Sequence, residues 1–126
     1  MSTVALTGLV AVAGAAGALA RFLVDGAVKV RWATTFPAAT LLINVTGSLL
    51  LGVLTGLALF HGEPSVVRTV AGTGFCGGYT TFSTASFETV RLAQQGRGGL
   101  AALHAVGTLG LTVLAGAAGL LVARAL

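Results

Sequence analysis

The chain has 126 residues, of which 56% are hydrophobic and 8% charged, and its mean hydropathy is +0.98. A soluble domain carries roughly 25% charged residues, so too few polar side chains exist to cover a surface in water, which excludes a water-soluble protein. The net charge of +4 comes from basic residues scattered singly between apolar runs, with no basic stripe and no interleaved aromatics, so it argues for membrane orientation and against a nucleic-acid partner.

A bilayer crossing takes about 20 apolar residues. Four windows free of Asp, Glu, Lys and Arg are long enough: 1–20, 32–62, 69–87 and 98–123. They predict an all-α membrane protein, one transmembrane domain over 1–126 with four helices near 3–24, 37–60, 66–94 and 98–123. No room remains for a soluble catalytic domain. In the first helix Ala11-Val12-Ala13 resembles a small-residue cleavage site, but no Lys or Arg precedes the apolar run, so the helix reads as an anchor. The second starts after Pro37 and ends near Phe60, before the turn His61-Gly62-Glu63-Pro64.

The third window differs from the others. Between Ala71 and Thr84 it reads AGTGFCGGYTTFST, whose glycines and hydroxyl residues disfavour a regular helix, so a break near 74–81 is expected. Backbone freed at membrane depth is tolerated only where it faces protein, water or an ion. The same run also fits a close-packing face of the Gly74-xxx-Gly78 type. In the fourth helix Ala115-xxx-Gly119, like Gly52-xxx-Gly56 in the second, offers a further small-residue contact.

Four crossings put the first and third connections on one side. That side carries Arg21, Lys29, Arg31, Arg91 and Arg97, the other Arg68 and Arg124, and this excess places both termini outside the cytoplasm.

No catalytic set is visible. Asp25, Glu63 and Glu88 are dispersed at helix ends, and His61, His104 and the lone Cys76 show neither a nucleophile–base pairing nor metal-ligand spacing. What remains is uncharged and polar: Thr40, Asn44 and Ser48 recur every four residues on the second helix, and His104, Thr108 and Thr112 on the fourth. Two polar stripes crossing an apolar bilayer read either as helix stitching or as a transport path, and a path rich in OH and NH donors suits an anion. Phe82, among Thr80, Thr81, Ser83 and Thr84, can turn a positive ring edge to such a path or simply pack.

The run Gly74–Thr84, GFCGGYTTFST, resembles the signature of the CrcB/Fluc fluoride channels. Gly17-Ala18-Leu19-Ala20-Arg21 and the segment from Thr40 to Ser48, TLLINVTGS, resemble two further landmarks of that family, and the similarity spans essentially the whole chain. The resemblance implies passive fluoride export across a prokaryotic plasma membrane, by an antiparallel dimer with two pores along its interface and a structural sodium at its centre. It implies that the carbonyls of Gly77 and Thr80 hold the sodium, and that Asn44, Phe82, His104, Thr108 and Thr112 line the anion pathway, to which Thr40 and Ser83 are assigned with them; Arg21, Gly74, Gly78 and Ala85 read as structural.

One position departs from the family. Its usual Thr-Thr-Phe-Ser-x-Phe reads Thr80-Thr81-Phe82-Ser83-Thr84-Ala85 here, so the second pore phenylalanine is missing. Phe87 is no substitute, because two further helical residues turn a side chain by about 200°. The Lys/Arg asymmetry also opposes insertion in both directions, as an antiparallel homodimer requires. Together they predict a second homologous subunit of opposite bias. Two competing readings are a small multidrug exporter, which needs a membrane-embedded acid where this chain has none before Asp25 or within the second and fourth helices, and a non-conducting assembly subunit.

Overall fold

The computed structural model describes residues 1–126. Helix α1 spans Thr3–Arg31 and α2 spans Ala38–Phe60. A helical run, α3, covers 65–79 as Ser65–Val67, a π-wound stretch Arg68–Cys76 and Gly77–Tyr79. Helix α4 spans Phe82–Gln94 and α5 spans Gly98–Ala125. Helices α1, α2 and α5 are each long and apolar enough to cross a membrane.

The ends follow local chemistry. Ser2 caps α1 by accepting the N–H of Ala5 at 3.2 Å. At its other end α1 continues past the expected limit at 24 to Arg31. The extension carries an Asp25–Lys29 pair at 2.8 Å one turn apart, and Lys29 and Arg31 sit where the helix dipole favours cations. Thr80 and Thr81, between α3 and α4, are extended. Thr81 then caps α4, its hydroxyl accepting the Thr84 N–H at 3.1 Å.

Two glycine-lined seams set the packing. Along α2 and α5, a methyl group on Gly52 would overlap the Gly116 carbonyl oxygen, and one on Gly119 would overlap that of Leu49. Along α1 and α3, a methyl on Gly17 would overlap the Phe75 carbonyl oxygen, and one on Gly78 that of Gly14. Gly74 meets Val10 and Ala13 in the same seam, so the Gly74-xxx-Gly78 face packs on α1. Only 19 of 126 residues are buried, so the apolar side chains face outward, the reverse of a soluble core.

The connections sort by end. Arg97 donates to the Thr35 hydroxyl at 2.8 Å, joining the α1–α2 connection to the start of α5. At the opposite end His61 Nε2 meets the Ala123 carbonyl at 2.7 Å.

Because a helical glycine replaced by alanine ordinarily gains about 1 kcal/mol, two positions make a sharp contrast. Gly8→Ala, with open space around the new methyl, keeps or raises the thermal aggregation midpoint in detergent, whereas Gly52→Ala lowers it because the α2–α5 backbones must separate. Equal midpoints would show that the seam does not carry the packing.

Candidate functional site

A groove of ≈ 680 Å³ runs beside the extended Thr80–Thr81 segment. It brings together Asn44 and Ser48 of α2, Gly77 and Thr80, Phe82 and Ala85 of α4, and His104, Thr108 and Thr112 of α5. Thr40 is placed elsewhere: it is buried and lines a second cavity of ≈ 270 Å³ with Lys29, Glu88 and Arg91 at the end of the bundle that holds the α1–α2 connection. The α2 stripe is therefore divided between two cavities. Ser83 is exposed and lies 3.3 Å from the Thr81 hydroxyl rather than on the groove wall.

Asn44 makes the decisive contact. Its Nδ2 donates to the Thr81 carbonyl at 2.9 Å, and its Oδ1 accepts the Thr81 N–H at 2.8 Å. One amide thus satisfies both backbone polar groups of one residue, Thr81, outside helical pairing, in a place where Asn44 and Thr81 are both buried. An amide nitrogen has two hydrogens, so one N–H remains for the groove. Removal of Thr81 N–H from helical pairing also frees the Gly77 carbonyl, its partner in a continuing α-helix.

The Thr80 carbonyl, in the same peptide unit as the Thr81 N–H, is held by another helix. Arg21 Nη1 donates to the Thr80 carbonyl at 3.3 Å, and the Thr80 hydroxyl donates to the Cys76 carbonyl at 2.8 Å. Gly47 makes room here, since a methyl on it would run into the Thr80 side chain. Arg21 and Asn44 therefore anchor successive carbonyls from two different helices.

On the α5 wall the polar residues are not equivalent. Thr112 donates its hydroxyl hydrogen to the Thr108 carbonyl at 2.6 Å, which leaves its oxygen to the groove as an acceptor. His104 is 1% exposed, with its ring 5.6 Å from Phe36 in an edge-to-face contact and its Nδ1 2.7 Å from the Thr89 hydroxyl. His104 Nε2, Thr108 Oγ1 and Glu88 Oε2 are buried without a hydrogen-bond partner. Phe82, although it lines the groove, is 88% exposed.

Sequence reasoning missed Thr81 as the clamped residue and Thr89 as the partner of His104. A signal for Thr89 exists: it lies four residues after Ala85, on the face of α4 that Ala85 turns to the groove.

Apolar spanning helices packed through glycine, around a groove walled by amide and hydroxyl groups, define a small multi-pass membrane protein. The family described as CrcB-like protein, Camphor Resistance (CrcB), matches residues 8–120. The chain belongs to this CrcB family. It is 55% identical over 111 residues to "Fluoride-specific ion channel FluC 1" of Leifsonia xyli subsp. xyli, covering 88% of this chain and 80% of that one. With "Fluoride-specific ion channel FluC 2" of Cutibacterium acnes the identity is 49% over 112 residues, covering 88% and 91%. "Fluoride-specific ion channel FluC 1" of Frankia casuarinae is 43% identical over 122 residues, covering 93% and 95%.

Loss of the Asn44 amide leaves two buried backbone groups unpaired, at about 1–3 kcal/mol each. Asn44→Ala therefore lowers the thermal midpoint well below that of Ser48→Ala, which removes a groove hydroxyl without touching the clamp. Equal shifts in the two variants would show that Thr81 does not depend on Asn44.

Proposed function

We propose that the chain is a fluoride-selective ion channel through which fluoride leaves the cell down its gradient, lowering cytoplasmic fluoride toxicity, and that the groove is one wall of its path. The observation that carries this reading is the pairing of Asn44 with Thr81: it opens the backbone beside a groove whose lining offers amide and hydroxyl groups and no carboxylate. Such a lining attracts a small anion without fixing it by charge. The relatives' names supply the ion, and nothing in the site calls for an enzyme's nucleophile or base.

The run α3, Thr80–Thr81 and α4 serves as a fourth crossing with its interruption at membrane depth, where protein contacts satisfy the freed backbone. A second chain completes the groove. Phe82, 88% exposed on the rim of a conducting surface, is supported as a shared wall between two antiparallel subunits. Ala85, buried in the groove where the family has a second phenylalanine, and the five basic residues against two, favour a partner of the same family over a second copy. The coexistence of FluC 1 and FluC 2 names among the relatives agrees with paired genes. By the charge excess, both termini face away from the cytoplasm of a prokaryotic plasma membrane.

The donor set at the interruption fits a structural sodium. Gly77 and Thr80 present backbone oxygens, the hard ligands such an ion takes, and no three His, Cys, Asp or Glu side chains come together elsewhere in the chain. The Thr80 carbonyl has two lone pairs, so its bond from Arg21 leaves one available. Hard cations collect more oxygens than these two, and the partner subunit supplies the remainder. The ion when bound contributes a fixed positive charge that draws anions and ties the two chains together. Exchange of sodium for a bulky organic cation is expected to lower the thermal midpoint of the assembled protein; an unchanged midpoint would remove the sodium assignment.

Fluoride efflux from liposomes, with chloride as control, tests the channel itself. Fluoride-selective release by this chain alone would establish conduction and reject an obligatory partner. Release only after a second family member from the same source is added would establish the pair. Silence in both preparations would reject the channel in favour of a non-conducting assembly subunit. In the lone chain, Ala85→Phe is expected to raise flux, and unchanged flux in a dimeric sample would show that the missing ring does not limit conduction.

A further inference from the structure

The hydrogen bonds around His104 fix where its hydrogen sits. A hydroxyl has one hydrogen to give, and Thr89 gives its own to the Ala85 carbonyl at 2.8 Å, an atom that can only accept. The 2.7 Å contact between the Thr89 oxygen and His104 Nδ1 is then made by a hydrogen on Nδ1. Neutral His104 is thereby the Nδ1–H tautomer, and its Nε2 carries a lone pair. That Nε2 is buried without a partner, in a side chain 1% exposed that lines the groove, one helical turn from the equally unpartnered Thr108 hydroxyl. A lone pair on a residue that lines an anion path repels an anion brought against it. A buried polar atom without a partner also calls for an occupant.

We propose that His104 is a proton-operated specificity element of the groove: neutral, it presents an acceptor that opposes an anion, and protonated at Nε2 it presents a charged donor that admits one. The proton comes from water and returns to it, so no co-reactant is consumed. Thr89 is the positioning residue, since its bond to Ala85 dictates the tautomer. Besides His104, the groove is lined by one titratable side chain, the free thiol of Cys76 on α3. Glu88 on α4 has its Oε2 buried and unpartnered. Arg91 of α4 and Lys29 of α1 line the adjoining ≈ 270 Å³ cavity with Glu88. Phe36, packed on the ring, and Thr40 and Asn44 of α2 carry no charge. The inference rests on the groove being the anion path.

Histidine changes charge within about pH 5–8, so fluoride efflux from liposomes is measured at equal internal and external pH from 8 down to 5. Protein-free liposomes subtract the leak of hydrogen fluoride, which itself grows in acid. Wild-type flux is expected to rise about tenfold on acidification, the scale of one hydrogen bond to a charged group. His104→Gln, whose amide does not titrate, gives a flat profile. Thr89→Val lets the neutral ring carry its hydrogen on Nε2, so flux at pH 8 rises and the profile flattens while the histidine is still present. His61→Gln, at the far end of the bundle from the groove's His104, retains the wild-type profile.

A pH-independent wild-type flux, or a wild-type profile kept by His104→Gln, would overturn the proposal. Nitrogen NMR of histidine-labelled protein at pH 8 reads the tautomer without reference to flux: hydrogen on Nδ1 of His104 supports the assignment, and hydrogen on Nε2 overturns it. Absence of fluoride release at every pH, from folded protein both alone and with a second family member from the same source, would instead reject the channel reading, and with it the role of His104 in admitting anions.

Discussion

Backbone groups that leave helical pairing in a buried place need partners from the protein, and the Asn44 side chain supplies both to Thr81, an acceptor for its N–H and a donor for its C=O. An amide is the one uncharged side-chain group able to do this, since it presents a donor and an acceptor side by side as a neighbouring strand would. A hydroxyl offers a single hydrogen, and a carboxylate offers none. The clamp joins residues 44 and 81, far apart in sequence, so the path of the chain through the interruption depends on α2 lying at one distance and one rotation from it. The extended geometry of Thr81 in turn places its hydroxyl to cap α4, which sets the direction in which Phe82 and Ala85 leave the segment.

The glycine seams make that distance possible. With α1 against α3 at Gly17 and Gly78, the Arg21 side chain reaches the Thr80 carbonyl one turn further along α1. With Gly47 beside Thr80, α2 comes near enough for Asn44 to span both backbone polar atoms of Thr81. Lipid tails offer no hydrophobic drive for helices to associate, so close backbone approach has to hold them together. The π-wound stretch Arg68–Cys76 belongs to the same economy of space: widening the helix there shifts the phase of α3, and its Gly72 and Gly74 are buried against α2 and α1.

Much of this was legible in the sequence because the bilayer permits few solutions. Long apolar windows predict α1, α2 and α5, and the run from Gly74 to Thr84 marks the segment that carries the site. Asn44 stands out because an unpaired amide is costly in an apolar setting. What escaped was three-dimensional. Period-four spacing puts Thr40, Asn44 and Ser48 on one face, yet it cannot tell that Thr40 opens on a different cavity. Nor does it reveal that Thr112 spends its hydrogen on its own helix, or that Thr89 of α4 lies against His104 of α5, because those depend on rotamers and on helix rotation. The end of α1 was misplaced for a simpler reason: the charges that end an apolar window do not end a helix, and Asp25 and Lys29 stabilise each other on its surface.

The groove is more selective in its hydrogens than its composition implies. Counted as residue types, its hydroxyls, amide and imidazole read as a row of donors. Counted as hydrogens, most are already committed: those of Thr80 and Thr112 go to carbonyls of their own helices, and Thr89 gives its one to Ala85. Asn44 keeps one N–H, and the Ser48 and Thr108 hydroxyls are unengaged. On the proposed reading of the groove as an anion path, few free donors in an otherwise apolar trough are what a path needs if each point is to be left for the next. Such a wall also makes His104 consequential. Where most hydrogens are committed, the state of one ring nitrogen changes a substantial share of what the groove can offer an anion.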